Sequence, residues 1–137
     1  MFLFFFILLY VPFSLLGNEI HINVKNIDNV TGFVHFALYN EKKKFLSESE
    51  KFIGLKKKTE NVLEEGIVVK NLKAGVYAIA VYHDENNNGQ FDRLFAIPLE
   101  KYGFSNNAKV FLGPPTFKEA SFQVKNNEFK RISIKLR

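Results

Sequence analysis

Apolar side chains recur at every second position through most of this chain, and a period of two is the mark of a strand with one buried face. Ile20, Ile22 and Val24 alternate with His21 and Asn23, so residues 19–25 read as a strand. In 32–40, Val34, Phe36 and Leu38 form one face and Phe33, His35, Ala37 and Tyr39 the other. The turn residues Asp28, Asn29 and Gly32 lie before this segment, which predicts a hairpin with the first strand. Residues 67–71 and 75–83 form a second expected pair, joined by Leu72-Lys73-Ala74-Gly75. In the second member Val76, Ala78, Ala80 and Tyr82 oppose Tyr77, Ile79, Val81 and His83, the pattern of a central strand covered on both sides. The last strands are expected over 116–124 and 129–136, the latter with Ile132, Ile134 and Leu136 facing in.

Two stretches break the alternation. Residues 41–62 are charged but carry Phe45, Phe52, Ile53 and Leu55, and 93–115 contain Pro98, Gly103, Gly113, Pro114 and Pro115. Both read as long connections, the first with a short helix around Glu48 to Ile53. The expected fold class is all-β, an antiparallel β-sandwich of about seven strands.

The first 17 residues carry no charged side chain and almost no polar one, and the first acidic or basic residue is Glu19. This run is short for a membrane span and fits the apolar region of a signal peptide, with cleavage after Gly17 expected and an uncleaved anchor as the alternative. The chain has no Cys, which rules out attachment as a bacterial lipoprotein and any disulfide staple. Residues 18–137 are one domain's worth of chain, and they are expected to be exported, periplasmic or secreted. The formal net charge is +5. Its densest runs, Lys42 to Lys44 and Lys56 to Lys58, read as solvated basic surface. Contact with a membrane surface stays open. No nucleic-acid partner is expected, because no aromatic side chains interleave with the lysines.

The chemically informative segment is Asp84-Glu85-Asn86-Asn87-Asn88-Gly89-Gln90-Phe91-Asp92. Counting Asp84 as position 1, Asn86 stands at 3, Asn88 at 5, Gly89 at 6, Gln90 at 7 and Asp92 at 9, the opening of an EF-hand type of calcium loop. A hard cation takes six to eight oxygens, and a curling chain supplies every second side chain plus a backbone carbonyl at position 7. Position 12 is Phe95 rather than the usual Glu, so further oxygens must come from Glu85, Glu100 or water. Calcium is the candidate cofactor, and a metal-free polar hairpin with Asn88-Gly89 in a type I′ turn is the alternative.

His83 beside Asp84 invites a hydrolytic reading, a general base with Ser105 or Tyr102 as partner in a cleft between this loop and Tyr102-Gly103-Phe104-Ser105-Asn106. No Gly-x-Ser-x-Gly elbow is present, and the three His lack zinc-ligand spacing. The preferred reading is therefore non-catalytic. In it the aromatic and polar Tyr102, Phe104, Ser105 and Asn106 stack a sugar or peptide, or pack over the core edge.

The run from Leu72 to Val124 resembles the bacterial exported family known as domain of unknown function 2141. The likeness is carried by Ala78-Ile79-Ala80-Val81, His83-Asp84-Glu85-Asn86, Gly89, Asp92, Ile97-Pro98, Glu100 and Tyr102-Gly103-Phe104-Ser105-Asn106, and it extends back to the strand at 32–40. Asn87 and Ala96 stand where the family pattern leads one to expect Gly. The resemblance implies a secreted or periplasmic β-sandwich, Ig-like or more narrowly transthyretin-like or prealbumin-like, with no established activity. The combined expectation is an exported binding or structural module with an envelope or extracellular protein or glycan as partner.

Overall fold

The computed structural model describes residues 17–137, and the leader expected over 1–17 lies, but for Gly17, outside them. Ten strands and two short helices follow: β1 (Asn18–Lys25), β2 (Phe33–Tyr39), β3 (Ile53–Lys58), α1 (Thr59–Glu65), β4 (Ile67–Leu72), β5 (Gly75–Asp84), β6 (Arg93–Leu94), β7 (Ile97–Pro98), β8 (Tyr102–Phe104), α2 (Phe117–Ala120), β9 (Ser121–Val124) and β10 (Phe129–Lys135). One sheet has the order β10-β1-β4. The other has the order β3-β2-β5-β8, with β9 alongside the first half of β5, and β6 and β7 form a separate small hairpin.

The alternation seen in the sequence becomes the inner faces of these two sheets. Ile20, Ile22 and Val24 of β1, Ile67 and Val69 of β4 and Ile134 of β10 stack on Val34, Phe36 and Leu38 of β2 and Tyr77, Ile79 and Val81 of β5. Face-to-face packing of this kind makes a β-sandwich, and each fully buried Ile, Leu or Phe contributes about 1.5–3 kcal/mol. β5 is covered on its other face as well. There Ala78, Phe104, Ala108 and Ala120 form a second buried cluster with Phe45, Leu46 and Phe117 against it.

Several local expectations are corrected. The strands read as hairpin partners lie in opposite sheets: β1 pairs with β10 and β4, whereas β2 pairs with β3 and β5. The β4–β5 connection likewise crosses between sheets. Strands whose apolar faces must meet across a core cannot also be hydrogen-bonded neighbours, and periodicity alone does not separate the two cases. β1 and β10 run parallel.

The helix expected at Glu48 to Ile53 is absent, and Ile53 instead opens β3, an edge strand in which Ile53 and Leu55 pair with Leu38 and Phe36. Lys56 to Lys58 belong to this edge, where charge guards against strand addition. The helix comes later, at α1. The strand expected over 116–124 begins only at Ser121, because Thr116 and Glu119 form a reciprocal capping box that starts one turn of helix.

Candidate functional site: the Asp84 loop and the adjoining groove

β5 delivers the loop. Its alternation turns His83 into the core and puts Asp84 on the outer face opposite Phe33 of β2. Asp84 is 0% exposed. One carboxylate oxygen accepts the N–H of Asn88 at 3.1 Å, and the other accepts the N–H of Gly89 at 2.9 Å and faces Nε2 of His35 at 3.0 Å. Burial alone would raise its pKa, but the Gly89 N–H, the His35 ring and the Asn88 N–H outweigh burial and hold the carboxyl below its ordinary value.

The rest of the loop curls around this anchor. The Asn86 side-chain oxygen accepts the Asn88 N–H at 3.1 Å, and that of Asn88 accepts the Gln90 N–H at 2.9 Å. Their amide groups donate to Asp92 at 2.7 and 2.8 Å. Asp92 in turn donates its backbone N–H to Glu100 at 3.1 Å. Asp84, Asn86, Asn88, Asp92 and Glu100 are thus brought together, while the Gln90 side chain is exposed and makes no hydrogen bond among the described residues. Positive φ occurs at Asn87 and Gly89 but not at Asn88, so the turn is not type I′, which requires both central residues there.

Glu100 reaches the loop from the segment that follows it. It is 9% exposed, and its second carboxylate oxygen is buried without a hydrogen-bond partner. Burial, together with the charges of Asp92 and Asp84, raises its pKa above the ordinary carboxylate value, against the partial relief of the Asp92 and Glu85 N–H groups. Among the described residues no three His, Asp or Glu side chains stand as a ready metal-binding group. The Asn86 and Asn88 amide groups lie on the Asp92 carboxylate, and their oxygens are held by the Asn88 and Gln90 N–H groups.

The other expected residues go elsewhere. Glu85 accepts from Asn29 of the β1–β2 connection at 3.0 Å. His83 is buried and its Nε2 donates to the Thr31 carbonyl at 2.7 Å. Ser105, also buried, accepts the Ile79 N–H at 2.8 Å and donates to the Ala120 carbonyl, tying β5 to α2. Asn106 donates to the Ser121 carbonyl at 2.7 Å. The His83–Ser105 dyad is therefore not assembled, and both residues serve the packing.

Tyr102 and Phe104 line a groove of about 720 Å³ on the outer face of the second sheet. Register explains it. One cross-strand row runs Lys56, His35, Tyr82, Tyr102, and the next runs Gly54, Ala37, Ala80, Phe104, so small side chains lie beside a wall of rings. The His35 and Tyr82 rings stack at 4.5 Å. Burial and the nearby acids push Tyr82 up to about 12. Phe91, inside the Asp84 loop, lies 5.3 Å from Tyr82 and 5.5 Å from Tyr102, so one segment both closes the loop and walls the groove.

A family model described as "Uncharacterized protein conserved in bacteria (DUF2141)" matches residues 22–132. The chain belongs to this family. The DUF2141 match begins within β1 and ends within β10, so it takes in both sheets, the loop and the groove. No curated protein and no solved structure matches the chain. Reading this DUF2141 sequence alone misses His35 and Phe91 as parts of the site. The signal for His35 was its place on the outer face of β2, two residues from the partner of Asp84; Phe91 gave none beyond being an aromatic side chain inside a polar loop.

Proposed function

We propose that this chain is an exported, non-catalytic binding module whose Asp84–Asp92 loop, completed by Glu100, holds a calcium ion that fixes one wall of the groove. The observation that carries this reading is Glu100, a buried carboxylate with an unpartnered oxygen beside two further acids. Burying like charges together is costly unless a cation compensates them. Asp84, Asp92 and Glu100 are the hard oxygen ligands that the loop would gather around such an ion, and exported calcium modules typically bind at about 10⁻⁴ to 10⁻³ M.

The test is thermal unfolding of residues 18–137 in EDTA, magnesium and calcium. An ion bound only by the folded chain at 100 times its Kd stabilises it by about 2.7 kcal/mol, a rise of several degrees for a domain of this size. Calcium is expected to raise the midpoint well beyond magnesium, and equal midpoints in all three conditions would overturn the ion site.

Glu100→Gln gives a second, signed prediction. The folded pKa of Glu100 is raised, so its ionised form opposes folding above that pKa and the opposition disappears as pH falls through it. At pH 7 in EDTA the neutral variant is expected to melt a few degrees higher than the wild type, while its calcium response shrinks or vanishes. A variant that melts lower in EDTA and keeps the full calcium rise would remove Glu100 from the site.

A further inference from the structure

We propose that the groove takes an acyl chain of an anionic lipid, and that the tips of its two flanking loops dock on the membrane that presents it. This rests on the reading of the chain as a binding module, and its test is run without calcium.

The groove is a mainly apolar cavity of a size that encloses small ligands. Its floor is Gly54, Ala37 and Ala80 with aromatic rings on either side, a surface that offers an alkyl chain contact. Because it opens on a sheet face rather than an edge, it does not invite an added peptide strand.

Its mouth is unusual for a water-facing surface. Arg93, Ala96 and Pro98 wall one side, and Val110, Gly113 and Pro114 another. Between those wall residues the same two loops project Phe95, Phe111 and Leu112 at 95%, 85% and 97% exposure. Leu94 and Ile97 are also exposed. Clustered exposed apolar side chains mark an interaction site, and here two separate loops present them around one cavity.

Charge selects the head group. Lys51 is paired with Glu48 at 2.6 Å, and Lys56 donates to the Asn87 amide oxygen. Arg93 lies over the Phe91 ring at 5.0 Å and meets no carboxylate among the described residues. Among the lining side chains three cations, Lys51, Lys56 and Arg93, face one acid, Glu48, with Asp84, Asp92 and Glu100 on the Tyr82 side of the groove. Aliphatic and aromatic tips with Arg93 beside them and Lys51 and Lys56 across the groove are complementary to an anionic bilayer, where the tips enter the interface and the cations meet the head groups.

The test is vesicle flotation of the chain from Asn18 onward, which contains both sheets and both buried clusters and lacks the apolar leader. In EDTA it is expected to partition onto phosphatidylglycerol vesicles roughly tenfold or more above phosphatidylcholine vesicles. The triple variant Phe95→Ser, Phe111→Ser, Leu112→Ser should lose that partitioning with an unchanged melting midpoint, since these side chains stand in solvent. Ala80→Phe, which fills the trough, should weaken quenching of tyrosine emission by a spin-labelled acyl chain in the vesicle; if it fails to fold, oleate protection of the wild type from that quenching reads the same site. No preference for anionic vesicles, or a triple variant that binds like the wild type, overturns the proposal. Binding of free oleate without any vesicle binding also overturns it, in favour of a soluble amphiphile. Failure here with an intact calcium shift removes the lipid and leaves the ion loop standing.

Discussion

Replacing Asp84 with Ala is expected to lower the unfolding midpoint by about ten degrees and to abolish any response to calcium. The side chain is fully buried, and it satisfies two loop N–H groups and the His35 ring. Its removal strands those three groups at the end of β5, where each lost bond to a charged acceptor costs about 1.5–3 kcal/mol. Partial relaxation of the loop into water brings the total to roughly 3–4 kcal/mol. Asp84→Asn keeps one acceptor oxygen and should lose about half as much. Circular dichroism melts at neutral pH check this, and a drop of under two degrees would mean that the loop is not anchored as described.

The same variant carries a pH signature. Because the folded pKa of Asp84 lies below its ordinary value of 3.8, its stabilisation is fully present above 3.8 and is lost as pH falls through the folded pKa. The difference between the wild type and Asp84→Ala should therefore shrink on acidification below about pH 3.8. Above that range the difference should change only where His35 titrates, since Asp84 favours the charged ring against the burial that lowers its pKa.

Gly32→Ala should be at least as damaging, although Gly32 contributes no side chain to the site. Its φ is +68°, and a Cβ there would stand 2.0 Å from the Asp84 carbonyl oxygen and 2.8 Å from Glu85 backbone atoms. Those neighbours are backbone, so the clash can be relieved only by pulling the end of β5 away from β2. Conformational strain of about 1–2 kcal/mol adds to that displacement, and the expected loss is about 3–5 kcal/mol. Gly89→Ala is the control. Its φ is +76° but nothing lies within 4 Å, so only the strain remains. If the two variants melt within a degree of each other, the close approach of the β1–β2 connection to Asp84 is wrong.

The parts of this molecule that were legible in the sequence are those governed by neighbours along the chain. Period-two alternation located β1, β2, β4, β5 and β10, since the inner face of each strand is written in its own residues. The double-sided pattern of β5 identified it as central. The oxygen spacing from Asp84 to Asp92 located the loop, because a turn that bonds its own backbone uses Asx side chains two residues apart. Two misreadings had local causes. The lysines of β3 disguised an edge strand as a connection, and the Thr116–Glu119 capping box, though visible, was overridden by the β-like residues around it.

What the sequence by itself determined is the all-β class, the inward faces of the strands and the loop that carries the acids. Only the tertiary structure decided which strands share a sheet, for the inward pattern of β1 and β2 is equally compatible with lying side by side and with lying face to face. The same holds for the site. Glu100 reaches the loop, His35 meets Asp84, and Lys56, His35, Tyr82 and Tyr102 align in one row through pairings between segments distant in sequence. Such pairings depend on register between strands and on the burial it imposes. Neither is a property of any one segment, so both come into being only when the two sheets close on their common core.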